Sequence, residues 1–291
     1  MKYLSILIFL FISSLISAQD NFLAYRVTGK VTYLDKGNQV VLKVGKILDN
    51  TASVKVGRNA SLLLICGNTS VPVQLQEGTH VLGKLASSCH STQQSLTYNY
   101  FNYVWWQLTH PKASVEEERK KNSNWPGAVS RGCQGIEFLV PDTLGFYREN
   151  IILKWKINVP FKSLEFVMYE YADSPVPLLK IPITTGYLHL ESFKDKLEIS
   201  TEYFWTLSLD GKENCPRKLL QVWSSGDFTI LTDSINTGKH SGLDEAERDY
   251  MMGWMYEQNH LVGEASRHYK LAEAAAPGNS RYKKTVKRLR S

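Results

Sequence analysis

Residues 246–279 read AERDYMMGWMYEQNHLVGEASRHYKLAEAAAPGN, and the reading of this stretch decides how the end of the chain folds. Two apolar patterns of helical period, each about a dozen residues long, flank a short break at His260 to Gly263. The second pattern stops at Pro277-Gly278, where proline cannot continue a helix and glycine supplies the backbone freedom that a stop uses. A helical hairpin is expected. Small residues fall where two helices would cross most closely: Gly253 in the first, Ala265 and Ala272 in the second. Tyr256 and Tyr269 are placed to fill the space beside them.

The set Gly253, Tyr256, Ala265, Tyr269, Ala272 and Pro277 resembles a single tetratricopeptide repeat. Two positions depart from that family: Asp249 stands where tryptophan is common and Met252 where leucine is common. The aspartate suggests an uncovered outer end of the first helix. One hairpin cannot bury both of its apolar faces, so a neighbouring repeat, a capping helix or another chain is needed. Residues 280–290 fit a cap, with Tyr282, Val286 and Leu289 at helical spacing and Arg281, Lys283, Lys284, Lys287, Arg288 and Arg290 on the remaining faces. The resemblance implies protein binding without chemistry, and on the first helix Arg248, Asp249, Met252 and Gln258 are the residues expected to face a partner.

At the other end, Lys2 precedes an apolar run from Leu4 that continues through Ile16 to Ser17-Ala18, the pattern of a cleaved secretory signal peptide over 1–18. The run is shorter than the roughly 20 residues that cross a bilayer. The expected product is secreted or periplasmic, in a bacterial cell envelope setting. Of 291 residues, 43% are hydrophobic and 21% charged, an ordinary globular composition with room for two or three domains. The net charge is +6, and six cations in the last eleven residues equal that excess. A solvated helix face explains them, with contact to an anionic envelope surface as the sharper alternative. Nucleic-acid binding is not expected.

Four cysteines in a secreted chain suggest two disulfides, of which Cys66 with Cys89 and Cys133 with Cys215 each stay within one segment. No CxxC pair argues for a metal. From Phe22 to Ser88 short strands alternate: Val27, Gly29, Val31 and Tyr33; Val40, Leu42 and Val44; a buried run from Leu62 to Ile65; and Val71, Val73 and Leu75. The order Val27-x-Gly29-x-Val31, Leu42-x-Val44-Gly45-x-x-Leu48 and Ala60 to Leu64 resembles the FecR-type β domain of envelope sensors, placed over 19–90.

A helical linker is expected over 91–132. Tyr98, Phe101, Val104, Trp105 and Leu108 share a stripe, while Tyr100, Tyr103 and Trp106 lie off it, where rings stack on neighbouring domains or on sugars. A second β segment over 133–232 carries Ile151, Leu153 and Trp155, then Leu164 to Tyr169, Leu178 to Ile183, Tyr203, Trp205, Leu207 and Leu209, and finally Phe228 and Ile230. Ile152-x-x-Trp155 early and Tyr203-x-Trp205 late resemble an immunoglobulin or fibronectin type III sandwich, which implies Trp155 in the core opposite Tyr203 and Trp205. A polar linker, 233–242, leads to the helical segment 243–291; Asp233 and its neighbours are oxygen-rich but lack a calcium-loop pattern.

No GxSxG, HExxH, GxxxxGK or GxGxxG motif occurs. His80 reads as a strand side chain and His268 as a helix-surface residue. The fold class expected is mainly β, two small all-β domains with a helical linker and a C-terminal hairpin. The function expected is a non-catalytic scaffold or adaptor that binds a protein partner or a second copy of itself, with no cofactor and no metal. The alternative is an envelope glycan-binding protein or cell-wall-associated enzyme.

Overall fold

The computed structural model describes residues 21–67, 69–89, 96–114, 117, 133, 135–236 and 243–290. The signal segment, His90, residues 118–132 and His240 lie outside the described residues. The chain divides into two units, Met1–Pro111 and Lys112–Ser291.

The first unit contains β1 (Asn21–Thr28), β2 (Val31–Asp35), β3 (Asn38–Val41), β4 (Ile47–Asp49), β5 (Ser53–Val56), β6 (Ser61–Cys66), β7 (Pro72–Leu75) and β8 (Gly78–Val81). They form two four-stranded antiparallel sheets, ordered β4-β1-β6-β7 and β3-β2-β5-β8. Phe22, Ala24, Leu62 and Leu64 from one sheet share a core with Val31, Val54 and Val56 from the other. Leu23 pairs with Ile65 and therefore projects from the opposite face, yet both are fully buried. Helix α1 (Leu96–Thr109) reaches β1 at Tyr25, whose hydroxyl lies 3.0 Å from that of Tyr100 and whose ring meets Phe101 edge-on. The unbroken apolar run of β6 thus reflects burial on both faces.

Three sequence expectations change here. The alternation from Val27 to Tyr33 is two strands, because Gly29 turns the chain at φ +71° with Ala60 Cβ 2.9 Å from where a side chain would start. Strand β3 ends at Val41, so Leu42 enters the core while Val44 stays exposed. Tyr100 and Tyr103 are buried and Trp106 stacks on His110, so α1 is part of the first unit's interior and Tyr100 and Tyr103 offer no platform to a sugar. The Cys66–Cys89 bridge, Cα atoms 5.8 Å apart, encloses β7 and β8.

The second unit contains β9 (Ile136–Phe138), β10 (Thr143–Phe146), β11 (Ile152–Ile157), β12 (Leu164–Tyr169), β13 (Leu179–Pro182), β14 (Tyr187–His189), β15 (Glu202–Leu209), β16 (Lys212–Glu213) and β17 (Lys218–Val222). One sheet runs β10-β17-β15-β12-β13, with β16 beside β15; the other runs β14-β11-β9. Only β10 with β17 is parallel among the described pairs. Leu153 and Trp155 meet Phe166, Tyr203, Trp205 and Leu207 in one core, so Trp155 does lie in the sheet opposite Tyr203 and Trp205. Cys133 is bridged to Cys215 at a Cα separation of 4.5 Å.

Four helices follow: α2 (Ser225–Asn236), α3 (Glu245–Gln258), α4 (Val262–Ala275) and α5 (Ser280–Arg290). Phe228 and Ile230, expected to end a strand, belong to α2, and so do Asp233 to Asn236, expected in a linker. The local reason is a cap: Ser224 Oγ accepts from Asp227 N at 3.0 Å and donates to the Asp227 carboxylate at 2.6 Å. Among the described residues the molecule is a mixed fold, antiparallel sheets first and most helices last. No described helix is long and apolar enough to cross a membrane.

Candidate functional site

Helix α3 starts at Asp244, whose carboxylate accepts from Glu247 N at 2.9 Å. It crosses α4 at Gly253, where a Cβ would sit 2.7 Å from the Tyr269 ring; only glycine permits that approach. Ala265 and Ala272 are fully buried across the same seam. Close packing then buries two carboxylates of α3. Glu257 receives Arg288 Nη1 and Nη2 at 2.5 and 2.7 Å and the Tyr269 hydroxyl at 2.7 Å. Glu247 receives Arg281 Nη2 at 2.9 Å and the Tyr282 hydroxyl at 2.6 Å. Burial, then the charge of Glu247, pushes the Tyr282 ionisation well above its usual range. Arg281 and Arg288 were expected on the solvated face of a basic tail; instead both hold α5 against α3.

On the other side the hairpin meets the loops of the second unit's sheets. Glu264 Oε1 accepts from the backbone N–H groups of Arg148 and Glu149 at 2.9 and 3.1 Å. Gly145 N donates to His260 O at 2.8 Å. Phe228 of α2 stacks between Tyr147, at 4.1 Å, and Tyr256 of α3, at 5.5 Å. The expected apolar face left over on the hairpin is therefore filled by the chain's own α5, α2 and sheet loops. Met251, Trp254 and Met255 are buried as well, and the large apolar side chains exposed on described helices are Ile230 and Leu271.

The residues expected to contact a partner are dispersed by this packing. Arg248 is exposed; Met252 and Gln258 are half-buried. Asp249, expected at an uncovered helix end, accepts from His268 Nδ1 at 2.8 Å. His268, expected on the surface, is 9% exposed because it falls in the seam with Ala265, Tyr269 and Ala272, at i, i+3, i+4 and i+7. Its other nitrogen, Nε2, lies 2.9 Å from Arg267 Nη2. A guanidinium can only donate, so Nε2 accepts, Nδ1–H donates to Asp249, and the ring is neutral. Burial holds the His268 pKa below its ordinary value, in agreement with that tautomer. The aspartate-histidine pair thus faces an arginine where a catalytic pair would face a nucleophile.

A cleft of about 580 Å³ opens beside α2, lined by Ser200, Glu202, Gln221, Trp223, Asp227 and Ile230. Glu202 and Gln221 are cross-strand neighbours on β15 and β17, and the turn before β15 holds Ser200 at φ +60°. Ile230 is 71% exposed at the rim, and Ile199, next to Ser200, is equally exposed. Sequence reasoning missed this place because it needs α2 to be a helix; the Ser224-x-x-Asp227 cap was the available signal. No group of three or more His, Cys, Asp or Glu side chains among the described residues is placed to hold a metal. No protein-family model matches the chain, and no curated protein matches it.

Proposed function

We propose that this protein is a non-catalytic adaptor of the cell envelope, in which a FecR-type β domain and an immunoglobulin-like sandwich carry a single tetratricopeptide-type hairpin. The two disulfides support an oxidising compartment, and the Gly253 crossing supports the repeat. The partner is a protein, and it docks at the α2 cleft in place of the α3 face. The observation that carries this reading is the cleft itself: Trp223 and the exposed Ile230 beside the carboxylates of Glu202 and Asp227. An apolar anchor with a polar rim is the usual anatomy of a contact hot spot. The hairpin acts as the brace that holds α2, through the Tyr147-Phe228-Tyr256 stack.

The test is affinity capture from envelope extract with the wild-type protein, Ile230→Glu and Met252→Glu side by side. A partner that copurifies with wild type and Met252→Glu but is lost with Ile230→Glu supports the cleft. Loss with Met252→Glu alone returns the contact to α3. Retention of the protein on polysaccharide resin with no protein partner sinks the adaptor reading.

A further inference from the structure

The first unit has four sheet edges, and three are blunted in ways that stop another strand from adding. Strand β7 begins with Pro72, β4 has three residues, and β8 runs straight into the 3-10 helix Leu82–Cys89. Strand β3 is different. Among the described residues it pairs only with β2, all four of its residues are exposed, and its turn is tight: Lys36 and Gly37, at φ +50° and +84°, form a two-residue type I′ hairpin.

The register fixes which backbone groups point outward. Leu42 N donates to Val31 O, so Val40 with Tyr33 and Asn38 with Asp35 are the other hydrogen-bonded pairs. Gln39 and Val41 alternate with them and aim both N–H and C=O away from β2. On the β2–β3 hairpin Leu34, Val40 and Val41 are exposed, at 53, 39 and 57%. Between Leu34 and Ile47 the charges are Lys36, Lys43 and Lys46 against Asp35.

We propose that the free edge of β3 binds an extended acidic segment of a partner protein as an added strand. Gln39 and Val41 supply the main-chain ladder, the exposed aliphatic side chains pack against alternate residues of the incoming strand, and Lys36 and Lys43 pair with its carboxylates. Edge lysines alone would serve to repel unwanted strands, but that role has no use for Leu34 and Val41 beside them. A second copy of this chain is disfavoured as occupant. Pairing Gln39 with Val41 across a two-fold axis brings Lys36 of each copy beside Lys43 of the other.

The discriminating variant is Val41→Pro. The Val41 N–H takes no part in the β2–β3 ladder, so proline leaves the hairpin's own bonds in place while it removes a donor and obstructs an added strand. The purified protein, isotope-labelled, is titrated with a capped Glu-Val-Glu-Val-Glu peptide and with Lys-Val-Lys-Val-Lys. The expected result is saturable shifts of the Gln39 and Val41 amides with the acidic peptide, at least tenfold weaker binding by Val41→Pro at unchanged melting temperature, and weaker binding in high salt. Equal affinity for both peptides, or Val41→Pro binding as wild type does, overturns the proposal. So does a dimer in light scattering that Val41→Pro dissolves, since the edge would then be taken by a second copy.

Discussion

Arg288→Met tests the idea that charge pairing seals the terminal helices. Arg288 and Glu257 have side-chain exposures of 0 and 2%, and the guanidinium holds both carboxylate oxygens. Removing the arginine strands a carboxylate out of water, which costs about 3–5 kcal/mol. For a unit of this size that corresponds to a fall in Tm of roughly 6–20 °C, at about 2–4 °C per kcal/mol. Glu257→Met in the same chain removes the stranded charge, so the double variant recovers most of the loss. It does not recover all of it, because the Tyr269 hydroxyl loses its acceptor at a cost of about 1–3 kcal/mol. Adding Tyr269→Phe brings stability close to wild type. Calorimetry of the four proteins gives the series directly. An Arg288→Met loss under about 1 kcal/mol, or a double variant worse than the single, refutes the reasoning.

Gly253→Val drives a branched side chain into the Tyr269 ring, which its hydroxyl bond to Glu257 keeps from swinging aside; a loss of about 1–3 kcal/mol is expected in urea unfolding. The buried His268 and the half-buried His260 have pKa values depressed by desolvation, so the unfolded chain binds more protons as pH falls below 6.5, and stability drops over that range. Glu264, raised by burial, titrates with the opposite sign: its contribution is present below 4.5 and is lost as pH rises through its folded value. His268→Gln should flatten the fall below 6.5, and an unchanged slope in a pH series of Tm counts against the tautomer assigned here. Cys133→Ser with Cys215→Ser opens a loop with a sequence separation of 82, and thermal unfolding should show a loss of about 2–5 kcal/mol.

Local pattern was enough to place β11, β12 and β15, the two helices of the hairpin and the cap after it, because period and stop residues are short-range properties of the chain. Cysteine spacing within segments was likewise enough to favour Cys66 with Cys89 and Cys133 with Cys215. One error came from a pattern too short to separate periods: Phe228-x-Ile230 fits a strand as well as a helix until the Ser224 cap is weighed. Tyr100 and Tyr103 lay off the stripe only while α1 was given one buried side.

What tertiary structure alone decided is which polar groups are inside. Arg281, Arg288, Glu247, Glu257 and His268 look like solvated helix residues in sequence, since nothing local reveals that a glycine crossing will bring carboxylate and guanidinium together out of water. The same holds for the edge of β3 and the cleft beside α2. Each is defined by what, among the described residues, does not pack against it, and a linear sequence carries no direct record of which neighbours a surface lacks.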